Sequence, residues 1–234
     1  MNQDADSQVR VCAVIPACNE SMTIGRIVRE TRKYVDVVFV IDNGSTDDTA
    51  EIARENGAEV IRHSTQRGYG AAQHAGHLVA IQNGFDYILQ LDADGQHDPK
   101  YIPKLLQTMQ NGDYDIVLSS RFLGNAYQDF PFIRKFGIRF FSKVVSFLGH
   151  AKITDVTSGF KAYKANSLKK LHKPSDKHPA VEQILEMAKK GMKIKEVPIE
   201  MPPRQIGKSH LNLIRFALYP FRMMWLILKV MLFR

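Results

Sequence analysis

An α/β domain with a doubly wound, mostly parallel sheet is the fold this sequence predicts, on three observations. Short apolar runs alternate with stretches of helical periodicity through the first 120 residues. The runs Val11–Ile15 and Val37–Ile41 are apolar throughout, as strands buried on both faces must be. Several of the runs also end in polar, acid-bearing loops, at the strand carboxyl ends where open α/β sheets bind ligands.

The first run, Val11 to Ile15, ends at Pro16 and leads through Ala17-Cys18-Asn19-Glu20-Ser21 into a helix with Ile24, Ile27 and Val28 on one face. Val37 to Ile41 is the second strand, followed by Asp42-Asn43-Gly44-Ser45-Thr46-Asp47-Asp48. Ser45 and Asp48 have capping-box spacing for a helix from Ala50 to Glu55. Gly57 closes that helix, and Glu59 to Arg62 is a third strand. Gly70 to Gln82 reads as an alanine-rich helix, and Ile88 to Leu91 as the central strand.

That strand runs out into Asp92-Ala93-Asp94-Gly95-Gln96-His97-Asp98-Pro99. Asp98-Pro99 is an N-cap with proline at the first helical position. Asp92 and Asp94 therefore stand two residues apart at a strand end, where two carboxylates repel unless a cation lies between them. Mg2+ or Mn2+, which commonly share their coordination with substrate phosphates, suit such a pair. A calcium EF-hand is excluded, because the sixth and twelfth loop positions counted from Asp92 hold His97 and Pro103 instead of glycine and glutamate. Ile116 to Leu118 forms a further strand, ending in Ser119-Ser120-Arg121 on the same rim.

Nucleotide-binding alternatives fail on spacing. Gly68-Tyr69-Gly70 has Gln73 where a dinucleotide fingerprint needs its third glycine, and the first strand–helix turn has no glycine run. Gly207-Lys208-Ser209 comes late and lacks the upstream glycine of a Walker loop.

Composition is that of a globular protein, 44% hydrophobic and 24% charged. Two cysteines, Cys12 and Cys18, are too few for a disulfide framework and read as free thiols. Residues 1–9 read as a polar tail and not as a signal peptide. The net charge of +8 is uneven: beyond Glu200 there is no acid, and Arg204, Lys208, Arg215, Arg222, Lys229 and Arg234 follow. An anionic partner is implied: phosphate, nucleic acid or an acidic membrane face.

Five motifs occur in order: Val14-Ile15-Pro16-Ala17-Cys18-Asn19-Glu20, Asp42 to Thr49, Gly68-Tyr69-Gly70, Asp92 to Pro99, and Ser119-Ser120-Arg121-Phe122. Together they resemble the family 2 glycosyltransferases, in particular the polyprenyl-phosphate (dolichol-phosphate) sugar synthases, over roughly residues 10 to 212. The resemblance implies a GT-A type nucleotide-sugar-binding fold and transfer of a sugar from a GDP- or UDP-sugar to a polyprenyl phosphate. It assigns the donor to Pro16, Cys18, Glu20, Asp42, Asp92 and Ala93, and the divalent ion, Mg2+ or Mn2+, to Asp92, Asp94 and Gln96. Asp155 in Asp155-Val156-Thr157-Ser158-Gly159-Phe160-Lys161 matches the acceptor-side motif, and Glu182, on a helix from Ala180 to Lys190, the glutamate near the reaction centre. Arg204-Gln205-Ile206-Gly207-Lys208-Ser209 matches a phosphate loop. Arg121 and Arg204 thereby join the donor set, and Arg121, Lys208 and Ser209 the acceptor phosphate. Asp94, Asp155 and Glu182 are the catalytic candidates. Cys18 and Asn43 stand where the family usually has tyrosine and aspartate, and His210 where it has lysine. A transferase acting on a glycan hydroxyl and a non-catalytic nucleotide-sugar-binding adaptor are the alternatives.

Two basic, aromatic stretches complete the chain. Residues 130–150 alternate phenylalanines with Arg134, Lys135, Arg139 and Lys143, without an acid between Asp129 and Asp155. After a last strand from Ile194 to Ile199, residues 211–234 carry Arg215, Arg222 and Lys229 seven apart among apolar positions. Both are read as amphipathic helices at an anionic membrane interface. They place the protein peripherally on the cytoplasmic face of a membrane, with residues 10–210 as the catalytic domain and nucleic acid disfavoured as a partner.

Overall fold

The computed structural model describes residues 9–123, 132–176, 179–201 and 213–234, with side chains in the last stretch described from residue 220. Apolar strands drive the first half as the sequence pattern requires. β1 (Val11–Ala17), β2 (Val37–Asp42), β3 (Glu59–Arg62) and β4 (Tyr87–Gln90) alternate with α1 (Ser21–Thr31), α2 (Thr49–Glu55) and α3 (Tyr69–Gln82). One 3-10 turn, Pro99–Tyr101, leads into α4 (Ile102–Gly112), and β5 (Ile116–Ser120) follows. The second half contains α5 (Phe132–Leu148), β6 (Lys161–Lys164), the short α6 (Ala165–Leu168), α7 (Pro179–Lys189), β7 (Ile194–Pro198) and α8 (Leu213–Phe233).

The strands form one sheet in the order β3-β2-β1-β4-β6-β5-β7. All pairings are parallel except those of β6, which runs antiparallel to β4 and β5. The expected sheet is therefore present with one reversed strand inside it. Helices α1, α2 and α4 cover one face over Ile15, Val40, Leu89 and Val117, and α3, α5, α7 and α8 cover the other over Val14, Ile41, Ile88 and Tyr163. Reversal of β6 decides where the site lies. The chain enters β6 at the rim where β4 and β5 end, so residues 155–160 meet the loops carrying Asp92 and Arg121.

Several local expectations change. β1 continues through Pro16, because β4 pairs only as far as Val14 and β2 alone lies beside the proline. Ser45 and Asp48 do not form a capping box: Asp48 occupies the N-cap of α2 without a side-chain cap bond. The Ser45 hydroxyl accepts instead from the Asn19 N–H at 3.0 Å. Asp98 does cap, its Oδ1 accepting from the Lys100 N–H at 3.0 Å. Among the described residues no helix is long and apolar enough to cross a membrane.

Candidate active site

Two loops at the carboxyl rim are laced together by their short polar side chains. Asn19, held at φ +56°, accepts from the Thr46 N–H at 2.8 Å, the Glu20 N–H donates to Thr49 Oγ1 at 2.8 Å, and the Ser21 N–H donates to Asp47 at 3.2 Å. Asp42 ends β2 fully buried behind this seam, accepting from the Ser45 N–H at 3.0 Å with Arg62 Nε 3.0 Å from its other oxygen. It braces the loop from behind the pocket wall, and its neighbour Asn43 lines the cavity instead. Pro16, Ala17, Cys18, Glu20, Gln66 and the Asp92-Ala93-Asp94 turn complete that cavity of about 240 Å³. Burial, with Asp42 and Asp47 nearby, pushes the Cys18 thiol above its usual pKa, so it lines the cavity as a neutral group.

Asp92 is held from three sides. Tyr69, at the start of α3, donates its hydroxyl to Asp92 Oδ1 at 2.6 Å. Burial and the Asp92 charge push the Tyr69 phenol well above its usual pKa, so it remains a donor. The Asp92 backbone N–H donates to His97 Nδ1 at 2.8 Å. Nδ1 is therefore the acceptor nitrogen of a neutral ring, and its 3.7 Å separation from Asp92 Oδ2 is not an ion pair. His97 in turn stacks on Phe160, with ring centroids 5.3 Å apart. On the third side is Gly159, where a Cβ would fall 2.8 Å from Asp92 Oδ2 and 2.9 Å from His97 Cε1, so only glycine lets these two side chains keep their places. Asp94 Oδ1 accepts from the Gln96 N–H at 3.0 Å, and Thr23 ties the Ala93 carbonyl at 2.6 Å.

A second cavity, about 250 Å³, opens on the other side of Asp92 and shares Tyr69 and Asp92 with the first. Gln90, Gln96, His97, Thr157, Gly159 and the α7 amino end at Pro179-Ala180-Val181 line it, with Arg121 and Arg134 as its cations. Arg121 is almost buried and is oriented by Asp155, whose Oδ2 accepts from Nε at 2.6 Å and Oδ1 from Nη2 at 2.8 Å. Thr157 Oγ1 takes a further bond from Nη2 at 2.7 Å. Asp155 is itself positioned by half-buried Glu196, which accepts from the Thr154 and Asp155 N–H groups at 2.8–2.9 Å. Burial raises the Glu196 pKa.

The structure thus gathers Pro16, Cys18, Glu20, Asp92, Ala93, Asp94, Gln96, Arg121 and Asp155 at one rim. Glu182 is turned elsewhere: it is buried on α7, accepts from the Ser175 N–H and faces Lys229 and Arg234, each 3.8 Å away. Arg204, Lys208 and Ser209 lie outside the described residues. Tyr69, Gln90, His97, Arg134 and Gly159 are site residues that the assignment by motif did not single out. Tyr69 and His97 sit inside quoted motifs, but Gln90 and Arg134 have no such marker.

Among the described residues no three His, Cys, Asp or Glu side chains cluster into a metal cage. Two hard carboxylates on an open rim still fit Mg2+ or Mn2+, which complete their shells with water and substrate phosphate.

The model of the family described as "Glycosyl transferase family 2" matches residues 12–172. The chain belongs to that family. It is 34% identical over 196 residues to an uncharacterised protein of Methanocaldococcus jannaschii, covering 81% of this chain and 80% of the relative. Identity to the undecaprenyl-phosphate mannosyltransferase of Micrococcus luteus is 30% over 217 residues, covering 87% and 88%. Among solved structures, glucosyl-3-phosphoglycerate synthase of Mycobacterium tuberculosis, crystallised with Mn2+, uridine diphosphate and phosphoglyceric acid, superposes with a TM-score of 0.77. That match has 18% identity and covers 97% of this chain and 80% of the other. Within the family the fold is the GT-A-like one, and the protein is a glycosyltransferase.

Replacing Asp155 by alanine leaves Arg121 buried without its carboxylate. The expected loss of folding stability is about 3–5 kcal/mol, read by urea denaturation, whereas Asp94→Ala on the open rim is expected to cost far less.

Proposed function

We propose that this glycosyltransferase moves a sugar from a nucleoside-diphosphate sugar to a polyprenyl phosphate, with inversion at the anomeric carbon and with Mg2+ or Mn2+ bound through Asp92 and Asp94. The observation that carries the reading is the second cavity. It shares Asp92 with the first, its cations are Arg121 and Arg134, and Asp92 is the one carboxylate among its described lining residues. A hydroxyl acceptor needs a base to take its proton. Asp155, however, is occupied by Arg121 and Thr157, and Glu182 by Ser175. A phosphate monoester, with its second pKa about 6, is already ionised and needs only cations to receive it. The relationship to an undecaprenyl-phosphate mannosyltransferase supports the same acceptor.

In this mechanism the first cavity takes the nucleotide, with Cys18, Asn43 and Gln66 at its wall and Asp92-Ala93-Asp94 beneath the diphosphate. Arg121, fixed by Asp155, holds an acceptor phosphate oxygen against the anomeric carbon. Tyr69 keeps Asp92 in one orientation at the junction. A divalent ion bound there supplies charge neutralisation for the departing diphosphate. From the family resemblance, Arg204, Lys208 and Ser209 add phosphate ligands.

The acceptor's lipid places the protein at a membrane, and two helices carry the apolar surface for it. α5 exposes Phe132, Ile133, Phe136, Phe140 and Phe147 with Arg139 and Lys143, and α8 exposes Phe221, Trp225, Leu228, Leu232 and Phe233 with Arg222 and Lys229. Such faces, apolar with interspersed cations, suit the interface of an anionic leaflet, here the cytoplasmic one.

Incubation with a panel of labelled GDP- and UDP-sugars, undecaprenyl phosphate and Mn2+ should place label in the organic phase. Chelation should abolish it, and Asp94→Ala should lower it about a hundredfold or more. Nucleotide release without lipid label would instead favour a hydroxyl acceptor. Trp225, the chain's one tryptophan, reports the membrane reading separately. Its emission should shift to the blue with vesicles of phosphatidylglycerol, and the shift should shrink as salt is raised.

A further inference from the structure

Beneath the site lies a charged group that the mechanism above does not use. Lys161 opens β6 opposite Gln90 of β4 and Leu118 of β5. Its side chain is fully buried, and its Nζ has no hydrogen-bond partner among the described residues. A buried, unpaired ammonium is costly unless carboxylates nearby offset it. Asp92 and Asp155 are the two that act on it favourably, one from the donor side and one from the acceptor side of the rim. The imidazole of His77 is also buried, and it is neutral, its pKa lowered to about 3 by burial and by the Lys161 charge. Burial draws the Lys161 pKa down to about 7 while the two carboxylates oppose the shift.

The balance of charge at the rim follows. Arg121, Arg134 and Lys161 offset three of the four carboxylates of Glu20, Asp92, Asp94 and Asp155. A site this close to neutral attracts a lone divalent cation weakly, whereas a diphosphate brings the missing negative charge with it. We infer that Lys161 is a positioning residue whose buried ammonium tempers Asp92, so that the divalent ion is retained only together with the donor diphosphate. The inference rests on Asp92 and Asp94 being the metal-binding pair. Donor and metal then enter as one unit, and a metal-loaded enzyme without donor is rare.

The test is Mn2+ binding, followed by electron paramagnetic resonance at one slightly acid pH, with and without UDP. It uses the parent, Lys161→Met, Lys161→Arg and Asp94→Ala, each first checked for a cooperative thermal transition. Without UDP, Lys161→Met should bind Mn2+ about fivefold or more tightly than the parent, the lower end of ordinary coupling between sites. With UDP the two should differ less, and Lys161→Arg, which keeps the charge, should behave as the parent. Lys161→Gln makes the same comparison if the methionine variant does not fold. If the parent binds Mn2+ with UDP, Asp94→Ala does not, and the neutral Lys161 variant equals or falls below the parent, the lysine inference alone fails. If the parent binds no Mn2+ even with UDP, the metal-binding pair fails and the inference with it.

Discussion

The hydrogen bond from Tyr69 to Asp92 ties together parts of the chain that have no other reason to agree. Asp92 ends the β4 run, Tyr69 begins α3, and the carboxylate between them stands in the wall of both cavities. Gln90 extends the link, donating to the Tyr69 hydroxyl at 3.1 Å and to the Gly159 carbonyl at 3.2 Å, and Gln73 joins Gln90 to Gln183 of α7. A buried polar chain of this kind has few alternative arrangements once each member has its partner. It fixes one carboxylate relative to β4, the segment leading into β6 and two helices, which is what a transfer reaction between two bound substrates demands of its shared residue.

Reversal of β6 makes that arrangement possible. Had β6 run parallel to its neighbours, the Asp155–Phe160 segment would lie at the opposite edge of the sheet. Instead its amino end meets the carboxyl ends of β4 and β5, so Asp155 reaches Arg121, Gly159 reaches Asp92, and Lys161 passes beneath both. The first cavity is built from parallel strands and their following loops, and the second adds to them the segment leading into this returning strand, Arg134 of α5 and the first residues of α7. α7 closes the second cavity with its first residues while Glu182, one position further, faces Lys229 of α8 and Arg234 just after it. The helix proposed to meet the membrane thus packs directly on the helix that borders the second cavity.

Much of this was legible in the residues. Largely apolar runs marked β1, β2, β4 and β5 and the rim carrying Asp92, Asp94 and Arg121, because a strand buried on both faces leaves a continuous signal. β6 left none: Lys161-Ala162-Tyr163-Lys164 holds two lysines in four residues, and the field that tolerates Lys161 is created only by the folded chain. The same limit explains Asp42 and Asn43. Adjacent residues at a strand end alternate in direction, so the expected donor ligand, Asp42, points into the protein while Asn43 lines the cavity. Glu182 matched a motif, yet its orientation depends on α8, which is remote in sequence.

The measurement that bears most directly on a shared junction at Asp92 is a crystal structure with Mn2+, UDP and a short-chain polyprenyl phosphate, with the ion located by anomalous scattering. The account predicts the ion between Asp92, Asp94 and the diphosphate, Tyr69 still on Asp92 Oδ1, and the lipid phosphate on Arg121 in the second cavity. An ion held elsewhere, or a lipid phosphate bound away from Arg121, would contradict it.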